Sequence, residues 1–93
     1  MPIVVEPMKV HGPGWSVTVT DLDGAGETVF NLWAPNEKRT YWSAGWYRDG
    51  GVVGDHRQSG TAVAAMGCFP LTRHADQVRA ALDAASREVT PSV

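Results

Sequence analysis

The segment of this sequence that most resembles a functional site lies between two glycines. The segment GDHRQSG, residues 54–60, places a carboxylate, an imidazole and a hydroxyl close together, at Asp55, His56 and Ser59. These are the groups of a nucleophilic triad, but a triad is defined by geometry in space and not by closeness in sequence. The loop at residues 49–60, which contains this segment, is therefore interpreted either as a solvated connection or as part of a contact surface for a partner. An enzyme built on His56 is a weaker alternative. No catalytic motif is recognised, so we expect no enzymatic activity.

A second segment, YWSAGWY at residues 41–47, contains two tyrosines and two tryptophans. Successive side chains of a β-strand point to opposite faces, so the tryptophans share one face with Ala44 and the tyrosines share the other. We expect the indole face to lie in the core, because a small domain needs large apolar side chains. The tyrosine face then forms a shallow slot with aromatic walls and a floor of Ser43 and Gly45.

Basic residues lie close to this aromatic strand in sequence, and acidic neighbours nearly cancel their charge. A protein partner, or a second copy of the chain, is therefore favoured over a nucleic acid bound by the same aromatic and basic face. The anchors of the predicted interface are Tyr41, Tyr47 and Arg48. The other interface candidates are Arg39, Ser43, Gly45, His56 and Arg57.

Residues of the types that commonly bind metals are present, but their spacing in the sequence matches no known metal site. The three histidines, His11, His56 and His74, and the single Cys68 show no metal-ligand spacing, and residues 21–27 lack the spacing of a calcium loop. We expect no metal and no cofactor. A single cysteine cannot form an intramolecular disulfide. The lack of disulfides is typical of proteins of the cytoplasm.

The composition narrows the class of partner. A net charge of −2 provides no broad basic field for DNA or RNA. The N-terminal MPIVVEP lacks the features of a signal peptide, and the longest aliphatic run, residues 62–66, is too short to span a bilayer. We therefore expect a cytoplasmic protein with no membrane contact. Arginine exceeds lysine and isoleucine occurs once, which is typical of a bacterium, or its phage, with a GC-rich genome.

Most of the chain has the residue pattern of strands. Residues 15–20 alternate apolar and polar side chains, and residues 28–34 and 40–48 follow as further strands after turn-forming segments. Pro7 marks residues 3–10 as an edge or bent strand, because proline cannot donate to a ladder. Residues 49–60 are predicted to form a long polar loop with at most a short strand at Val52–Val53. Residues 61–71 are ambiguous, and a strand is favoured because Gly67 and Pro70 would end a helix early.

One helix is predicted near the C-terminus, from about residue 72 to residue 89. Thr72 can cap it, and an apolar stripe recurs at spacings of three and four, at Ala75, Val78, Leu82, Ala85 and Val89. The prediction is an α+β fold: a single small domain, residues 1–93, in which a curved antiparallel meander of four or five strands is covered by this helix. The last residues, 90–93, are expected to be disordered.

The segment WSVTVTDLDGAGETVFNLWAP, with AGWY after it, resembles the MbtH-like proteins. Leu32-Trp33 and Gly45-Trp46 match the Leu-Trp and Gly-Trp pairs of that family, over about a third of the chain. The two tryptophans are further apart here than in the family, and its C-terminal signature is missing. The resemblance implies a sheet with a helix and a role as a partner of an adenylation enzyme in nonribosomal peptide synthesis.

Overall fold

One antiparallel sheet organises the chain. The computed structural model describes residues 4–8, 14–20, 26–48 and 52–88. Its five strands lie in the order of the sequence, as a meander, and a C-terminal helix follows them. The strands are β1 (Glu6–Met8), β2 (Gly14–Thr20), β3 (Glu27–Trp33), β4 (Trp42–Arg48) and β5 (Val52–Ser59). The helices are α1 (Ala62–Ala65), which continues into a 3₁₀ turn at Met66–Cys68, and α2 (Arg73–Glu88). The predicted α+β fold is confirmed.

The predicted loop at residues 49–60 is wrong for most of its length. Residues Val52–Ser59 form β5, which pairs with β4 at the edge of the sheet. The polar residues of this segment gave no alternating pattern, because an edge strand buries little of either face. The predicted strand at 61–71 is also wrong, since the chain forms α1 and the 3₁₀ turn there. Thr61 caps α1 by accepting from the Ala64 N–H at 3.1 Å.

The C-terminal helix lies close to its predicted bounds. The Thr72 hydroxyl accepts from the Ala75 N–H at 3.1 Å, which caps the first turn as expected. Asp83 and Arg87 form the expected ion pair at 2.9 Å, and the apolar stripe is buried at Ala75, Val78 and Leu82. The predicted disorder at 90–93 falls outside the described residues.

The core lies between the sheet and the helices. Alternate residues of the three central strands face it, and these are Trp15, Val17, Val19, Phe30, Leu32 and Ala44. From the other side come Ala65, Met66, Phe69, Val78 and Leu82, and the rings of Phe30 and Phe69 meet edge to face at 4.9 Å. All of the helical residues in this cluster therefore cover one face of the sheet. Within the described residues, no helix has the length and apolar content needed to cross a membrane.

Candidate functional site

The two faces of β4 have different environments. Trp42 and Trp46 pack against the core on either side of buried Ala44, as predicted for the indole face. Trp42 stacks on Trp15 with ring centroids 6.5 Å apart, and the Trp46 indole donates to the Cys68 carbonyl at 3.0 Å. The helices therefore cover the tryptophan face, and neither of them lies on the tyrosine face of the sheet.

The strand register shows which residues share this uncovered face, called the open face below. Directly paired residues point to the same side, so three rows cross the sheet. The first row is Glu6, Ser16, Asn31, Gly45 and His56. The second row contains Gly14, Trp33, Ser43 and Gln58, and the third contains Thr18, Val29 and Tyr47. Tyr41, just before β4, joins this side through a hydrogen bond between its hydroxyl and the Gln58 amide at 3.4 Å.

The floor of the open face is buried although no helix covers it. Asn31 is 8 % exposed and Ser43 is 3 % exposed, and Gly45 is buried between them. Larger neighbours on the same face, including half-buried Trp33 and Tyr47, stand around this floor. Ser43 and Gly45 therefore lie buried at the bottom of a shallow depression on this face. Its walls include Trp33 and His56, which sequence reasoning did not assign to them.

A serine–histidine pair joins this floor to one of its walls. Ser43 Oγ and His56 Nε2 are 2.9 Å apart, and the ring approaches closely because Gly45 has no side chain. A Cβ atom at Gly45 would lie 3.2 Å from His56 Cδ2. The Asp55 carboxylate accepts from the His56 backbone N–H at 2.8 Å. Among the described residues, no carboxylate is hydrogen-bonded to the imidazole, so the arrangement lacks the third group that orients the base of a triad.

A cavity of about 240 Å³ opens beside this pair, lined by Trp33, Arg39, Ser43 and His56. Arg39 is held at its rim by the turn before β4, where the Asn36 side-chain oxygen accepts from the Lys38 and Arg39 N–H groups at 2.8 and 3.0 Å. Among the described residues, this lining contains a guanidinium, an imidazole and a hydroxyl and no acidic side chain. Such a set of donors is suited to a carboxylate or another anion.

Two polar atoms of the open face are buried without a hydrogen-bond partner in the described structure. They are the side-chain oxygen of Asn31 and the indole nitrogen of Trp33, two residues apart on β3. An unpaired buried polar group costs about 1–3 kcal/mol.

Two of the predicted interface residues turn away from the open face. The Arg48 guanidinium lies over the Trp46 ring, 5.1 Å from its centroid, on the side that the helices cover. Arg57 reaches Gly67, where a Cβ atom would lie 2.5 Å from its Nη1. The other predicted interface residues lie on the open face or at its rim. Arg39 is at the rim, and those on the face are Tyr41, Ser43, Gly45, Tyr47 and His56. Val29 and Trp33 belong with them, and their alternation against Phe30 and Leu32 is the signal that identifies their side of β3.

The rest of the described chain offers less defined sites. A second cavity of about 180 Å³ lies between the helices, lined by Val63, Met66, Arg79, Ala80 and Asp83. The Cys68 thiol is buried, and burial, with the Asp55 carboxylate adding to it, raises its pKa above the ordinary value. In the part of the chain that the structure describes, no three His, Cys, Asp or Glu side chains are grouped to hold a metal ion.

Comparisons with known proteins add no family to this description. No protein-family model, no curated protein and no solved structure matches the chain. The likeness to the MbtH-like proteins therefore remains a resemblance of the residues quoted above.

Proposed function

We propose that this protein is a small cytoplasmic protein–protein interaction module and that the open face of its sheet is the docking surface. The observation that carries the proposal is the one-sided covering of the sheet: both helices lie on the tryptophan face. Trp33, Val29 and Tyr47 remain half-exposed on the other face, around a buried polar floor. Aromatic side chains beside desolvated polar groups are typical of interface hot spots.

The edges of the sheet are less suitable for docking than its face. The strand at one edge, β1, has three residues, and Pro7 in its middle cannot donate a hydrogen bond. The strand at the other edge, β5, is interrupted by a bulge. Its segment Val53–His56 has one residue more than the segment Gly45–Tyr47 of β4 with which it pairs. Its exposed residues include Asp55 and Arg57. Bulges, charges and proline are the features that prevent an added strand from pairing, so an incoming protein meets the face instead.

The alternative of a nucleic acid on the same face has less support. A single-strand binder combines aromatic platforms with a groove of positive charge. Arg48 and Arg57 lie on the side that the helices cover, which leaves Arg39 as the arginine at the rim of the open face. Binding that weakened steeply with added salt would favour the nucleic acid, whereas an aromatic protein interface changes little with salt.

Site-specific photo-crosslinking tests the proposed surface. A photoreactive amino acid would replace Thr18, which is exposed on the open face, or Ala84, which is exposed on α2 as the matched control. We expect protein adducts from position 18 and few from position 84, with the adducts identified by mass spectrometry. Each identified protein, including a second copy of the chain, would then be purified and its affinity measured by calorimetry.

The tyrosines provide the second arm of this test. Tyr47→Ala removes an aromatic side chain from the third row of the face, and Tyr41→Ala removes one beside Gln58. We expect Tyr47→Ala to weaken the purified complex at least about tenfold, the effect of a hot-spot residue. Unchanged affinity in both variants, or equal crosslinking from positions 18 and 84, would rule out the open face as the docking surface.

A further inference from the structure

The first row of the open face has opposite chemistry at its two ends. It begins with the exposed Glu6 on β1 and ends with His56 on β5, beside Arg39. Between them lie Ser16, Asn31 and Gly45, none of them large. A carboxylate therefore stands at one edge of the face, and the cavity suited to a carboxylate lies at the other.

These two ends cannot meet within one chain. Strands lie about 4.8 Å apart in a sheet, so four spacings place β1 and β5 roughly 19 Å from each other. Glu6 and His56 point to the same side of the sheet along this row. A second sheet placed face to face, and turned so that its β1 lies over β5 of the first, brings the ends of the two rows together.

We propose that the occupant of the open face is a second copy of this chain, related by a two-fold axis parallel to β3 that passes beside Asn31. This inference rests on the proposed function and names the partner of the same surface. In this dimer, Glu6 of each copy enters the cavity formed by Trp33, Arg39, Ser43 and His56 of the other. The two charge contacts are equivalent by symmetry, as an isologous interface requires.

The axis also brings groups of complementary size and polarity together along the rows. Ser16 of one copy faces Gly45 of the other, and Thr18 faces Tyr47. Asn31 lies on the middle strand, so it faces Asn31 of the second copy across sheets that pack about 10 Å apart. An amide offers both a donor and an acceptor. The exposed part of each Asn31 amide can therefore pair with that of the other copy, while its buried oxygen stays enclosed within its own chain.

The size of the face predicts a reversible dimer. Strands of about seven residues and a width of five strands give roughly 500 Å² per copy, or roughly 1,000 Å² in total. That area lies at the lower limit for specific protein interfaces. Glu27 is exposed at the start of β3, two residues before Val29 and therefore on the same open face. It would face its own copy at the rim, where solvent screens the repulsion. We expect a dissociation constant on the order of micromolar, so the oligomeric state depends on concentration.

Charge reversal tests the pairing directly, with sedimentation velocity from roughly 10 µM to roughly 1 mM protein as the measurement. Glu6→Lys brings a lysine of one copy against Arg39 of the other. His56→Glu brings the new carboxylate of one copy against Glu6 of the other. Each substitution therefore places like charges together at both ends of the row. We expect each variant to raise the dimer dissociation constant at least about tenfold. Combining the two substitutions restores opposite charges, and we expect the dissociation constant to return to within about threefold of the wild type.

Glu27→Lys is the matched control, because it makes the same change of charge on the same face. Glu27 faces itself across the axis, so the reversal replaces one like-charge contact by another, and the dissociation constant should change less than about threefold. Arg39→Glu replaces His56→Glu if the latter lowers the melting temperature. A tenfold effect of Glu27→Lys, or no rescue in the double variant, would overturn the proposed axis.

A wild-type chain that stays monomeric over the whole concentration range would overturn the second copy as the occupant. The crosslinking experiment separates this result from a failure of the proposed function. Adducts from position 18 with a different protein would keep the open face as a docking surface while excluding self-association. The absence of adducts from position 18 together with a monomer would contradict both proposals.

Discussion

At the scale of single residues, the open face depends on a glycine, Gly45, at which any side chain would crowd the His56 ring. Gly45 leaves space for the His56 ring, which reaches across it to Ser43 Oγ at 2.9 Å. The sequence indicated that Ser43 and Gly45 form the floor of a slot. It did not indicate the histidine above them, because the polar pattern of residues 49–60 predicts a loop, and side chains of a loop do not alternate between two faces. Only the pairing of Gly45 with His56 places the ring there.

A buried thiol makes the stability of the fold depend on pH. Burial raises the pKa of Cys68 above its ordinary value of 9.0, with the Asp55 carboxylate as the second cause. The unfolded chain then releases the thiol proton at a lower pH than the folded chain. The free energy of unfolding should therefore fall as the pH rises from roughly 8 to 10, with a slope of at most about 1.4 kcal/mol per pH unit.

Urea unfolding of the wild type and of Cys68→Ala, at several pH values in this range, measures that slope. The other titrating groups are common to both proteins, so the difference between the two curves isolates the thiol. We expect the curves to converge as the pH rises, since only the wild type loses stability through this residue. Parallel curves would show that the thiol ionises as readily in the folded state as in the unfolded state.

At the scale of elements, the two errors of sequence reading have physical causes. β5 shows no apolar alternation because it is an edge strand with one face uncovered, and its pairing with β4 supplies its stability. α1 is only four residues long, shorter than any periodic signal. The sequence indicates that Gly67 and Pro70 end a helix early, which favoured a strand over residues 61–71. They follow a short helix, and the chain passes through a 3₁₀ turn at Met66–Cys68 before the helix α2.

The bulge in β5 provides a prediction at this scale. Gly54 lies against the flat side of the Trp46 ring, where a Cβ atom would be only 2.3 Å from the nearest ring carbon. Gly54→Ala should therefore push the indole or the strand aside and lower the free energy of unfolding by about 1–3 kcal/mol. Thermal and urea denaturation measure the change.

Gly60→Ala is the control for that substitution, since a Cβ atom there meets nothing within 4 Å. We expect it to leave the stability within about 0.5 kcal/mol of the wild type, or to raise it slightly by restricting the unfolded chain. If the two substitutions changed the free energy of unfolding equally, the close contact with Trp46 would not be the reason for a glycine at position 54.

At the scale of the whole molecule, one arginine joins the second helix to the segment that covers the sheet. Arg79 donates to the carbonyl oxygens of Met66, Phe69 and Pro70 at 3.3, 2.8 and 3.1 Å, and it pairs with Asp76. Its guanidinium also lies 5.9 Å from the centroid of the Phe69 ring. These contacts hold the non-helical backbone at 66–70 between α2 and the core.

Arg79→Ala should lower the free energy of unfolding by about 2–4 kcal/mol, because three backbone carbonyls lose a charged donor at once. Arg79→Lys keeps the charge but not the fork of donors, so its loss should be smaller and still measurable. Arg87→Ala is the control, since its exposed ion pair with Asp83 contributes at most about 0.5 kcal/mol. Similar losses in Arg79→Ala and Arg87→Ala, measured by urea unfolding, would contradict this role.

The sequence by itself determined the local structure of this protein. The alternation of residues 15–20 and 28–34, the stripe of α2 and the Thr72 cap follow from neighbours along the chain, so they could be predicted with the α+β fold. Only the tertiary structure decided which face the helices cover and which residues share a row. Register joins residues far apart in sequence, and it places Glu6, Asn31 and His56 in one line across five strands. The open face exists because the helices pack on the side of Trp15, Trp42 and Trp46, whose apolar area contributes more to a small core than the tyrosine face would.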